Sequence, residues 1–337
     1  MRPLHRALWA GLALVAAASV AGRAGAADPP LERLLGDLLR AKDARQVVAA
    51  LDALEARAGT VGGSGDLKAF GDLLGGLPEP RASDPRVLLR RGYAYLRAGA
   101  AKEAVAPLER AARDSEAAPV ALAYLGEARR GSGDPGGALE ALAAAAREGY
   151  TEPFLLEAAL KAAYGLRASW IRPPTEGPPP YAAPIETFLA ARPDALLEAA
   201  LARFVLDDRA THLRQDADRA RDWAALAAGH ALAALRARSD LDGGARLAFD
   251  AAEALEDGPP SPAASLRFDL LTVAYRLGRG PDGDTHELPV AIVALAEAAL
   301  AEGRYELAFR LARERLQVSD SPRARAVLDA LPPDVGR

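Results

Sequence analysis

The chain has 337 residues, half of them apolar but only 5% aromatic, and it contains no cysteine. That excludes disulfides, zinc sites built on thiolates and attachment through a lipidated cysteine. The formal charge is −4 and no Lys/Arg block appears, so the concentrated basic face that nucleic-acid binding needs is missing. Ala and Leu, both strong helix formers, dominate the apolar share, while runs of Val, Ile, Thr and Tyr alternating at period two are scarce; the expected fold is all-α.

Residues 1 to 26 read as a secretory signal. They have a basic start at Arg2, His5 and Arg6, an apolar stretch over residues 7 to 21, and Ala24-Gly25-Ala26 matching the A-x-A cleavage rule. The apolar stretch is shorter than the ~18 to 20 residues of a spanning helix, so cleavage after Ala26 is preferred over retention as a membrane anchor. No later segment reaches spanning length, and no integral membrane segment is expected after signal removal. The segment holds three arginines and no acid, so without it the chain carries −7. The implied address is exported, either periplasmic or secreted.

Residues 27 to 84 predict degenerate helical hairpins. An apolar-periodic pair covers 30 to 41 and 44 to 58 with Lys42-Asp43 at the turn, and a shorter helix follows over 66 to 74. From residue 85 a period of 34 is visible. Pro85, Pro119 and Pro153 are spaced by 34, and so are Leu88 and Leu122, Gly92 and Gly126, Gly99 and Gly133, Ala104 and Ala138, and Leu108 and Leu142. Asp84 is placed to cap a helix whose first turn starts at Pro85, where a missing N–H costs nothing. Gly99 can close that helix in the left-handed conformation, and a second helix over 101 to 114 then returns antiparallel. Gly92 and Ala104 are small enough to let the two backbones approach to packed-helix distance.

The 34-residue unit, with small residues at Gly92 and Ala104 around the turn glycine Gly99, resembles the tetratricopeptide repeat (TPR) family. The resemblance covers residues 85 to 168 and recurs at 289 to 320, where Pro289, Gly303, Tyr305 and Ala308 hold the matching offsets. It implies antiparallel helix-hairpin repeats stacked into an α–α superhelix, a TPR-like solenoid. Arg91, Arg129 and Arg315 depart from the family's preferences for apolar, aromatic or small residues. A Pro-rich linker or loop over 169 to 184 interrupts the array and is expected to be non-helical. Divergent helical hairpins follow over 185 to 320, with helices at 185 to 191, 194 to 205, 216 to 238, 244 to 255 and 262 to 277. Residues 321 to 337 read as a short C-terminal helix and tail.

Chemistry is sparse. Gly131-Ser132-Gly133-Asp134-Pro135-Gly136 matches G-x-G-x-x-G, but it follows a helix and carries a Pro, so it reads as an inter-helix turn and not as a nucleotide loop. Gly62-Gly63-Ser64-Gly65 lacks nucleophile-elbow spacing and reads as a flexible loop. None of His212, His230 and His286 has a second His at i, i+4, and the acidic loop of Asp282, Asp284, His286 and Glu287 has an incomplete calcium pattern. No catalytic residue, cofactor or metal is assigned.

In repeats of this type the first helices line a groove that holds an extended peptide or partner helix. The resemblance places that groove on Arg86, Leu89, Tyr93 and Leu96, then Val120, Glu127 and Arg130, then Phe154, Lys161 and Tyr164. The family's clamp for C-terminal carboxylates uses Lys, Asn and Arg at several of these places; Leu89, Tyr93, Ala123 and Glu127 do not supply it. The alternative for Leu89, Tyr93 and Phe154 is simple packing between units. The expected function is a non-catalytic protein–protein interaction scaffold of the bacterial cell envelope. Two alternatives stand beside it: a helical ligand-binding or enzymatic domain in 185 to 337, and a structural or self-associating spacer.

Overall fold

The computed structural model describes residues 31–59, 64–170, 176–213, 216–255, 263–278 and 288–336. The signal-like residues 1 to 26, the glycines Gly62 and Gly63, and the acidic loop around His286 lie outside them. The protein is 78% helical, with sixteen α-helices and no strand among the described residues, and neighbouring helices pack on one another. No helix among the described residues is long and apolar enough to cross a membrane. The helices cluster into two compact units, one up to Ala158 and one from Ala159 onward.

The first unit contains α1 (Leu31–Arg40), α2 (Ala44–Gly59), α3 (Ser64–Gly75), a short 3₁₀ turn (Arg81–Ser83), α4 (Pro85–Arg97), α5 (Ala101–Ala111), α6 (Ala118–Gly131), α7 (Pro135–Arg147) and the start of α8 (Pro153–Ser169). Leu34, Leu38, Val47, Leu51, Leu54, Phe70, Leu74 and Val87 form the core of its N-terminal part. The helix starts follow from capping. The Asp84 carboxylate accepts from the Arg86 N–H at 2.9 Å, Asp134 accepts from the Gly137 N–H at 2.9 Å, and both helices carry Pro in the first turn.

The helix ends follow from glycine. Gly99, Gly133 and Gly149 have φ of +75°, +95° and +88°. After each, the next N–H reaches back to the carbonyl five residues earlier, Ala100 to Tyr95 at 2.8 Å, Asp134 to Arg129 at 2.8 Å and Tyr150 to Ala145 at 2.9 Å. This is the Schellman closure, and the left-handed residue it needs is what Gly supplies without steric cost.

Within each hairpin the crossing is set by a leucine seated on a glycine. A Cβ on Gly92 would lie 2.4 Å from Leu108 Cγ, and one on Gly126 would lie 2.5 Å from Leu142 Cγ, so the 34-residue period of the sequence is also a period of contacts. Ala104 and Ala138 are fully buried in the same layers. One expected bound shifts. Helix α5 stops at Ala111 and not at residue 114, because Asp114 turns to accept from the N–H groups of Glu116 and Ala117 at 3.0 and 3.1 Å ahead of α6. Arg129, placed where the resemblance expects an apolar residue, is held by Glu109 at 2.9 Å and donates to the Gly137 carbonyl at 3.2 Å.

The second unit holds the rest of α8, then α9 (Ala182–Ala191), α10 (Ala195–His212), α11 (Ala217–Ala237), α12 (Gly244–Ala254), α13 (Ala263–Gly278), α14 (Leu288–Ala301), α15 (Tyr305–Val318) and α16 (Pro322–Asp329). Its core joins α10 to α16 through Ala-rich layers with Leu235, Leu247, Leu270, Leu271, Ile292, Leu295 and Leu311. Gly303, at φ +72°, closes α14 as Gly99 closes α4, with Arg304 N–H on Ala299 O at 2.8 Å.

Two expectations are corrected here. Residues 182–184, expected outside any helix, form the first turn of α9, where Pro184 gives up only an N–H that has no intrahelical partner. Helix α10 runs to His212 rather than ending near residue 205, because both faces keep partners past that point: Leu206 packs on the core, and Arg167 holds Asp207 at 3.2 Å and Asp208 at 3.1 Å. The segment before α9 is pinned by side chains. Trp223 Nε1 donates to the Gly177 carbonyl at 3.1 Å, and the buried Tyr181 hydroxyl donates to Asp208 at 2.7 Å. Burial, and then the Asp208 contact, push the Tyr181 phenol well above its ordinary range.

The crossing geometry makes one substitution act with opposite signs at two sites. Gly229 sits mid-helix in α11, where an added Cβ would meet no neighbouring group within 4 Å, whereas Gly92 lies under Leu108. Gly229→Ala is expected to stabilise the protein by up to ~1 kcal/mol through helix propensity. Gly92→Ala is expected to destabilise it by ~1 to 3 kcal/mol through overpacking. Urea unfolding of the two variants beside the parent measures both.

Candidate partner-binding surface

Helices α4 and α6 are the first helices of two successive hairpins and α8 opens the next 34-residue period, and in the first unit their aromatic residues form a row. The Tyr93 and Tyr124 ring centroids are 5.0 Å apart with the planes at 43°, and Tyr124 and Phe154 are 5.9 Å apart at 56°. Such tilted pairs contribute ~0.5 to 1.5 kcal/mol each beyond their buried area. Arg97 stacks over Tyr93 at 5.8 Å and donates to its hydroxyl at 3.2 Å. Burial raises the Tyr124 phenol above its ordinary range, with the neighbouring Tyr93 adding to it.

Beside the row, α2 and α4 border a notch lined by Val48, Leu51, Arg86, Leu89, Arg90 and Glu116. Its volume of about 40 Å³ is far below the ~300 Å³ and more of small-molecule pockets. The floor is apolar and the rim is charged in balance. Arg90 bonds both Asp52 and Glu55 of α2, while Arg86 reaches Glu116 at 3.0 Å and Asp84 at 3.8 Å. A wider depression of about 430 Å³ lies between α1 and α2 over Leu34, Ala49, Ala50 and Ala53, with Arg40 and Asp37 paired at its edge at 3.0 Å.

The ten residues expected along the groove take different places. Arg86 and Leu89 line the notch. Tyr93 and Phe154 belong to the aromatic row, and Leu96 is half-buried. Leu89 and Val120 are buried, at 9% and 3% exposure, so they shape the surface mainly from beneath. Glu127 and Arg130 hold each other through contacts of 2.9 and 2.5 Å along α6. Lys161 and Tyr164 fall in the second unit, where both are exposed and the Tyr164 ring packs edge-on against Phe204 at 4.8 Å.

Sequence reasoning passed over Tyr124, Val48 and Leu51. Tyr124 stands four residues after Val120 and three before Glu127, which is the same helix face, and that spacing could have found it. Among the described residues no group of three or more His, Asp or Glu side chains is placed to hold a metal ion. No protein-family model matches the chain, and no curated protein matches it.

Arg90 is the polar tie between α2 and α4, and its side chain is 14% exposed, against 28% for Asp52 and 11% for Glu55. Breaking a fully buried pair costs ~3 to 5 kcal/mol and an exposed one ~0 to 1. Arg90→Met, which keeps the stem and strips the charge, is expected to cost ~1 to 3 kcal/mol. Adding Glu55→Gln should recover part of it. Urea unfolding of the single and double variants checks both statements.

Proposed function

We propose that this protein is a non-catalytic interaction scaffold of the tetratricopeptide type. It acts in the bacterial cell envelope and takes a peptide segment or partner helix on the first-helix face of its N-terminal unit. The observation that carries the reading is the row Tyr93–Tyr124–Phe154 across α4, α6 and α8, beside an apolar notch at Arg86, Leu89 and Arg90. Aromatic and Arg side chains on a pre-formed helical face are the residues that anchor protein partners.

Several features support it. The 34-residue spacing of Gly92 with Gly126 and of Leu108 with Leu142 recurs as matched glycine–leucine crossings, the packing a hairpin array needs. The charges on this face are paired: Arg90 with Asp52 and Glu55, Arg86 with Glu116, and Arg130 with Glu127. A partner with apolar anchors and little net charge suits such a surface better than a polyanion, because a polyanion would have to break these pairs. The envelope address rests on the signal-like residues 1 to 26 alone.

The test is selection of peptides from a display library on the purified protein, followed by calorimetric titration of the best binder. Tyr93 is half-buried, so Tyr93→Ser leaves the hairpin core in place. The expected result is micromolar binding by the parent, weakened about tenfold (~1.4 kcal/mol) in Tyr93→Ser and in Arg86→Ala without loss of the thermal transition. Failure to enrich any sequence, or binding indifferent to both substitutions, would overturn the reading.

A further inference from the structure

His230 lies on α11 in the second unit, with its side chain 16% exposed. Its Nδ1 is 2.5 Å from Glu198 Oε2 on α10, and its Nε2 is 3.3 Å from Glu186 Oε1 on α9. Neutral imidazole has one N–H and one lone pair, so it can donate to one of these carboxylates while it turns a lone pair toward the other. The imidazolium ion donates to both. Only the protonated ring satisfies the arrangement that three helices build around it.

We propose that His230 is a proton-dependent latch: as imidazolium it clamps Glu186 of α9 and Glu198 of α10 to α11, and loss of the proton frees Glu186 and loosens α9. The charged groups bearing on the ring are these two carboxylates. Of the other helices packed on α11, α13 sends Asp269 to Arg236 at 3.1 Å, and on α12 Arg246 and Asp250 pair with each other at 2.8 Å. Ile185 and Phe188 of α9 are fully buried, so deprotonation makes α9 open more often without detaching it.

The electrostatics agree with the geometry. Burial alone would lower the imidazole pKa, but the hydrogen bonds and charges of Glu198 and Glu186 outweigh it and raise the value above 6.5. A pKa raised on folding gives stability that is fully present below the unfolded value and is lost as pH rises through the folded one. The clamp is therefore set in mildly acid solution and released toward alkaline pH.

The test follows the His230 ring C–H resonance by NMR across pH, assigned with His230→Gln, together with hydrogen exchange of the α9 amides corrected for intrinsic rates. The expected midpoint is above 6.5 in the parent and lower in Glu186→Gln, a substitution at a half-exposed site. Protection of α9 is expected to fall about tenfold through that midpoint in the parent and to stay flat in His230→Gln. A midpoint at or below 6.5, one unmoved by Glu186→Gln, or α9 protection indifferent to pH would overturn the latch.

Discussion

Close approach of two helix backbones is the constraint on which the first unit depends. Leu108 rests its branched end on the bare backbone at Gly92, and Leu142 does the same at Gly126. Any side chain at those glycines would push α5 off α4, or α7 off α6, by more than an interior packed at crystal-like density tolerates. With the backbones that close, α4, α6 and α8 come near enough for Tyr93, Tyr124 and Phe154 to meet. The candidate partner surface is thus a by-product of how small the residues beneath it are.

Much of the fold was legible because its determinants are local. The caps at Asp84 and Asp134, the prolines in the first turns and the left-handed glycines each act within a few residues of their own position, so a linear reading recovers them. The bounds that moved were decided by side chains from elsewhere. Polar residues crowd in after residue 205 of α10, yet the helix persists because Leu206 still packs on the core and Arg167, some forty residues earlier, holds Asp207 and Asp208. Pro184 was read as a breaker when its place in the first turn makes it harmless.

The site was less legible. Matching at a spacing of 34 finds residues that repeat the same role, whereas the aromatic row joins Tyr93, Tyr124 and Phe154 at spacings of 31 and 30. The rings meet because each reaches sideways to the next hairpin from a different turn of its helix, so the row is out of register with the repeat. His230 escaped for a related reason. A search at i, i+4 looks along one helix, while its two carboxylates arrive from 32 and 44 residues upstream on two others.

The recurrent Schellman turns bear on how this chain reaches its native state. Each of Gly99, Gly133 and Gly303 folds a helix straight back on its successor, so most packing in a hairpin joins residues near in sequence, such as Gly92 with Leu108. Short loops cost little closure entropy, and a topology of such loops has low contact order. Individual hairpins can then nucleate without waiting for distant segments, and folding spreads from whichever forms first to its neighbours. Within each unit, the hairpin with a neighbour on one side only is the first to fray, and resistance to proteolysis is greatest where a hairpin is flanked on both sides.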